Sequence, residues 1–91
     1  MEFLQKWNIY PAYPNPFNPL ISLPYEILFD EYVEVDIYNL KGEKISNLFN
    51  GFQLAGNHVL HWNADNFSSG IYIARFKLDS YRYSQKLVLI K

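Results

Sequence analysis

His58 and His61 stand three apart, with Asp65 four positions further on, and this trio is the chain's nearest approach to a metal-binding set. Two imidazoles and a carboxylate suit a divalent metal when one surface gathers them. A helix would do that at this spacing, whereas on a strand side chains three apart point to opposite faces. The stretch HVLHW alternates, with His58, Leu60 and Trp62 on one side and Val59 and His61 on the other, so no metal site is expected. The nine carboxylates fall mainly at turns and on the solvent faces of strands, with no pair set apart for acid–base work. Serines occur without a nucleophile elbow or a triad signature. Asn66-Phe67-Ser68 fits the N-glycosylation triplet, a motif short enough that a plain loop asparagine accounts for it. With no cysteine, disulfides and thiolate metal sites are excluded. The residues thus imply no enzyme, no catalytic or metal-binding residues, no cofactor and no small-molecule ligand.

The eight tyrosines raise a different chemistry, because exposed aromatic rows stack on sugars. Tyr25 and Tyr72 fall on the apolar faces of their strands and are expected in the core. Tyr38, Tyr81 and Tyr83 are the candidates for exposure, scattered over different strands or turns. A carbohydrate-binding accessory module of a secreted hydrolase is therefore the alternative reading, and a structural linker domain of a filament is a third. A net charge of −1 offers no basic face for nucleic acid. The charge is uneven all the same. Arg75, Lys77, Arg82, Lys86 and Lys91 follow Trp62 with only Asp65 and Asp79 among them, and the acidic residues dominate the rest. Pairing within a sheet is the expected explanation.

What must position these residues is a set of strands. At 91 residues the chain is a single small domain, and 19% aromatic content rich in Tyr and Phe favours sheet over helix. No apolar run approaches the roughly 18 residues of a membrane span, and no signal peptide is visible at Met1. An export address would then belong to a longer parent chain. Ile21, Leu23, Tyr25 and Ile27 share one face of a first strand, where Pro24 predicts an edge position or a break. Val33, Val35 and Ile37 alternate with Glu34, Asp36 and Tyr38. The turn Asn39–Gly42 and a strand over Glu43–Phe49 complete a hairpin, with Gly42 suited to positive φ. Asn50-Gly51 and Ala55-Gly56-Asn57 predict an irregular stretch before the His58–Trp62 strand. Beyond the polar connection Asn63–Gly70, Ile71–Leu78 places Tyr72, Ala74, Phe76 and Leu78 inward. A turn at Asp79-Ser80-Tyr81 leads to a last strand, Arg82–Ile90, with Leu87 and Leu89 inward. Six or seven strands at intervals of roughly 8–12 residues predict an all-β, small immunoglobulin-like antiparallel β-sandwich of about seven strands. Trp62 is its natural core anchor, since one indole buries about 150–250 Å². Before all of this stands YPNPFNP, Tyr13–Pro19, whose prolines permit neither helix nor central strand and predict a stiff extended leader with turns at the Asn-Pro steps. Residues 1–9 read as a linker remnant and 10–91 as the domain.

The order of these motifs is itself distinctive. YPNPFNP (Pro14, Asn15, Pro16, Phe17, Asn18, Pro19) precedes Val-x-Val-x-Ile-Tyr-Asn-x-x-Gly, ending at Gly42. Ala55-Gly56-x-His58-x-x-x-Trp62 follows, then Ser69-Gly70-Ile71-Tyr72 and a terminal Lys86-Leu87-Val88-Leu89-Ile90-Lys91. The series resembles the type A C-terminal sorting domain of the type IX (Por) secretion system of Bacteroidetes-like bacteria, over nearly the whole chain. The immunoglobulin-like domain of the flagellar hook-capping protein is a more distant look-alike. Leu20 where Thr is usual, Pro24 within the first strand and Asn63 where Asp often follows the Trp depart from the family pattern.

The resemblance implies a non-catalytic secretion signal at the end of an exported protein. It implies passage through the periplasm and recognition by the outer-membrane type IX translocon. Removal by a sortase-like peptidase at the cell surface follows, so the domain would work secreted or surface-bound with cargo covalently attached on its N-terminal side. For the leader, a structural role is expected, with Phe17 plugging the open end of the sandwich and the prolines guarding an edge. For Lys86, Leu87, Val88, Leu89, Ile90 and Lys91, a basic strand offered to a receptor that adds a strand is expected. Removing these six residues should then abolish secretion and leave the rest folded.

Overall fold

The computed structural model describes residues 6–91. Seven strands follow in order: β1 (Trp7–Ile9), β2 (Leu20–Ile27), β3 (Glu31–Tyr38), β4 (Lys44–Gln53), β5 (Gly56–Asn63), β6 (Gly70–Leu78) and β7 (Tyr81–Leu89). They form two antiparallel sheets, β1-β2-β5 and β4-β3-β6-β7, and the described residues hold no helix. This is the expected immunoglobulin-like sandwich. Each sheet buries one face because its strands alternate: Ile21, Leu23, Tyr25 and Ile27 of β2 meet Val33, Val35, Ile37, Ala74, Phe76 and Leu78 of the other sheet, all nearly fully buried. Leu87 and Leu89 of β7 join this core.

The β3–β4 turn forms as its residues predict. Gly42 has φ +83°, its N–H donates to the Asn39 carbonyl at 3.0 Å, and Asn39 Oδ1 accepts from the amides of Lys41 and Glu43. The hairpin is longer than expected, since Asn50 and Gly51 lie inside β4 opposite Glu34 and Val33. Asn-Gly signals a turn only where the strand has run out of partners, and β3 still offers partners here. The interruption comes instead as register shifts between Val35 and Asp36 and between Ile37 and Tyr38.

Three further expectations are corrected. Pro24 neither breaks its strand nor sits at an edge, because β2 is the middle strand of its sheet. Its donor-less side faces the first strand and the leader, and its carbonyl accepts from Tyr10 N–H at 3.2 Å. The reciprocal donor is missing, so the Tyr10 carbonyl accepts from Gln85 Nε2 at 2.9 Å. Trp7–Ile9, assigned to a linker, is a strand paired with Tyr25–Ile27, while residues 1–5 lie outside the described range. Asp36, placed on a solvent face, is buried; Asn47 Nδ2 donates to it at 2.7 Å and Lys44 Nζ stands 3.6 Å away.

The two sheets are also tied by a polar contact, the Tyr25 hydroxyl donating to Gln53 Oε1. Burial pushes the Tyr25 hydroxyl up to about 12, and the hydrogen bond to Gln53 opposes that shift. Below its ordinary value of 10.0, Tyr25 is protonated folded or unfolded and its stabilising contribution is complete. Above that value the unfolded chain ionises first, so the contribution is lost as pH rises through about 12. Urea midpoints of wild type and Tyr25→Phe measured from pH 8 upward should therefore keep a constant gap to about pH 10 and converge above it.

Candidate functional site

The leader, Trp62, Ser69–Tyr72 and the final segment, the larger part of the sequence signature, meet at one end of the sandwich. β7 is the outer strand of the four-stranded sheet, and the residues of β7 opposite Ile73 and Ile71, namely Lys86 and Val88, turn their backbone groups away from β6. The leader lies along this edge. Asn15, between two prolines that lack amide hydrogens, uses its side chain as a substitute ladder residue. Its Nδ2 donates to the Lys86 carbonyl and its Oδ1 accepts from Val88 N–H, both at 2.9 Å. Phe17 continues in backbone terms: its N–H donates to the Val88 carbonyl at 2.9 Å and its carbonyl accepts from Ile90 N–H at 3.0 Å. The pairing of Phe17 with Leu89 is parallel. Gln85 serves the leader's start, donating to Tyr10 and accepting from Ala12 N–H at 3.2 Å. On the other side Tyr13 exchanges two backbone hydrogen bonds with Ser22, and the Pro19 carbonyl accepts from Ala64 N–H. The leader therefore stitches one sheet to the other. The peptide bonds before Pro14, Pro16 and Pro19 are cis, and the chain bends at residues 14–16 and 18–19.

Beneath the leader, Phe17 is 2% exposed and stands 5.7 Å from Trp62, centroid to centroid. Phe67 and Tyr72 approach the same indole at 5.5 and 5.4 Å, Tyr72 edge-on, and the Tyr72 hydroxyl donates to the Ser68 carbonyl at 2.6 Å. Lys91 completes this end, its N–H donating to Ser69 Oγ at 2.9 Å and its ammonium to the Asp65 carbonyl. Pro14–Pro19, Trp62, Ser69–Tyr72 and Lys86–Lys91 are thus one assembly. Gly42, Ala55, Gly56 and His58 are not part of it. Gly56 pairs with Ile27 at the far end of β5, with φ +136° at the turn, and His58 stacks on Tyr25 at 5.5 Å. His61 lies on the other face, sharing a hydrogen bond with Ser22, and no cluster of metal-ligating groups forms among the described residues.

Two expectations about the final segment change. Its edge is not open, because the leader already takes the outward groups of Lys86, Val88 and Ile90. Removing Lys86–Lys91 would not leave the remainder intact either, because Leu87 and Leu89 are 0% and 1% exposed. The charge asymmetry is met by pairing in register, Glu34 and Asp36 of β3 standing opposite Lys77 and Arg75 of β6, without close ion pairs forming between them. The ion pairs among the described residues are Lys6–Asp79, Lys44–Glu34 and Lys44–Asp36, none of which involves Arg75, Lys77, Arg82 or Lys86. Nor do the exposed tyrosines build a sugar platform. Tyr32 sits on the outer face of its sheet, Tyr81 and Tyr83 point to the opposite side of β7, and Tyr38 is covered by the Arg75 guanidinium at 4.7 Å. Sequence reasoning missed Asn15 as a ladder substitute and Gln85 altogether. An amide between two prolines was the available signal for the first; nothing local marked the second.

A family model described as the secretion system C-terminal sorting domain matches residues 11–91. The chain belongs to this family. Sorting domains of this family are C-terminal secretion signals for type IX secretion, and the signal directs export to the cell surface or beyond. Among solved structures, the crystal structure of dimeric latent PorU from Porphyromonas gingivalis shares the fold, with a TM-score of 0.70 at 15% identity. The match covers 92% of this chain and 9% of that one. No curated protein matches the chain. For the sorting domain the closed end has a measurable weight. Phe17→Ala should destabilise it by about 3–5 kcal/mol in urea unfolding. Asn15→Ala should cost only about 1–2 kcal/mol but selectively speed amide exchange at Val88.

Proposed function

We propose that this sorting domain is a non-catalytic label read by the outer-membrane type IX translocon at the end where leader and final strand join. The observation that carries this reading is the convergence of Pro14–Pro19, Ser69–Tyr72 and Lys86–Lys91 on one Trp62-centred assembly. A translocon reading this assembly reads folded geometry as well as residues. Lys86, Ile90 and Lys91 present exposed side chains there, while Leu87 and Leu89 serve the core and Val88 holds the leader. Cargo is attached on the N-terminal side, travels through the periplasm, and is released by a sortase-like peptidase at the surface. The cut falls ahead of Trp7, because a bond inside a paired strand is closed to a protease and Trp7–Ile9 is paired. The domain boundary moves accordingly from Tyr10 to Trp7.

The test is a reporter carrying an N-terminal export signal, fused ahead of the chain and expressed in a bacterium with a working type IX system. Lys86→Glu and Ile90→Ser spare Leu87 and Leu89 and keep the backbone hydrogen bonds of the closed end. Each should cut extracellular reporter about tenfold or more while the melting temperature stays within a few degrees. Undiminished secretion of these folded variants rejects the reading.

A further inference from the structure

We propose that the outer face of β6 and β7, with the free half of the β7 edge, docks an extended acidic segment of a partner chain, added as a strand beside residues 81–84. The argument concerns a different part of β7 from the leader-closed end and holds whichever protein carries that segment. Arg75, Lys77, Arg82 and Lys86 all lie on this face, and no acidic residue lies within β6 or β7. Lys77 and Arg82 are direct cross-strand partners. Their pair is one whose backbone groups point outward, the arrangement that brings side chains closest, and like charges so placed are destabilising. Among the described residues no carboxylate comes within ion-pair distance of either cation. Glu34 lies opposite Lys77 on β3, yet its carboxylate turns to Lys44 Nζ at 3.7 Å, and Asp79 pairs with Lys6 at 3.8 Å. Arg75 stacks over Tyr38, and Asp36, opposite it on β3, is engaged by Asn47 and Lys44 instead.

The adjoining edge supplies the second half of the site. The leader occupies β7 from Gln85 to Ile90 and stops there. Arg82 and Ser84, opposite Lys77 and Arg75, turn their N–H and C=O groups outward, where no described residue meets them. β7 pairs with β6 in nine unbroken steps, whereas the sheet's other edge strand, β4, is interrupted by register shifts. An unbroken edge is a template for strand addition. Charge on such an edge ordinarily deters pairing, and here it would repel basic and neutral strands while favouring one with carboxylates at alternate positions. A polyphosphate could neutralise the cations but has no donors for the outward carbonyls, and the donors of a sulfated glycan do not alternate with acceptors at the repeat of a strand edge. A peptide satisfies both.

The whole chain, labelled with ¹⁵N, would be titrated with the acetylated, amidated peptide Glu-Thr-Glu-Val-Glu-Thr. Its Lys-for-Glu counterpart, the Glu peptide N-methylated at alternate residues, and heparin complete the set. The expected result is amide shifts centred on Arg82 and Ser84, with the Glu peptide binding about tenfold or more tighter than the Lys peptide and losing affinity as salt rises. N-methylation should abolish binding. The double variant Lys77→Glu with Arg82→Glu should reverse the charge preference, and Lys77→Gln, a milder change, should weaken the Glu peptide several-fold. Equal binding of the two peptides, or none, overturns the proposal. So does equal engagement of the same residues by heparin or the N-methylated peptide, which would make the face a general polyanion surface. None of these readouts depends on export, so failure here leaves the sorting reading standing, and the reverse.

Discussion

Phe17 against Trp62 is the contact on which the rest of this domain depends. A sandwich of this size has little interior to spare, and its end is open wherever no chain crosses it. Phe17 fills that opening with a ring 2% exposed, beside an indole that also gathers Phe67 and Tyr72. Once it is seated, the leader's direction is set. Asn15 reaches the Lys86 and Val88 backbone, and Tyr13 is left beside Ser22. The prolines on either side of Asn15 remove donors that would otherwise need partners in an already crowded corner. Apolar burial thus decides where the leader goes, and side-chain amides complete the polar accounting.

The two faces of the four-stranded sheet follow different rules. Inside, alternation delivers Val33, Val35, Ile37, Ala74, Phe76 and Leu78 to a common core. Outside, acidic and basic residues are segregated by strand. Glu34 and Asp36 on β3 share Lys44, and the cations of β6 and β7 have none of these carboxylates to themselves. A net charge near zero therefore conceals a local field.

Strand alternation made β2, β3, β6 and β7 legible in the sequence, because a half-buried strand cannot shift register without exposing its whole apolar face. Gly42, Trp62 and Phe17 were legible for equally local reasons, a turn that demands positive φ and rings too large to leave in water. What escaped was decided by partners far along the chain. Pro24 is tolerated mid-sheet because Gln85 supplies its missing donor function, and Asn50-Gly51 stays extended because β3 continues opposite. Asp36 could be buried only because Asn47 and Lys44 arrive from the next strand. The leader and β7 are joined by hydrogen bonds spanning 71 to 75 residues, a distance at which neither periodicity nor turn chemistry carries information. The same limit hid the closed state of the final edge.

The parallel pairing of Phe17 with Leu89 has a mechanical meaning. When two strands run the same way, tension applied at the chain's two ends slides them past each other. The hydrogen bonds of Asn15 and Phe17 then share the load together, whereas a hairpin pulled at its open end unzips one bond at a time. The leader and the last strand are tied in this shear geometry, while β1, ahead of the leader, pairs antiparallel with β2. A pull along the leader against β7 therefore loads these bonds side by side.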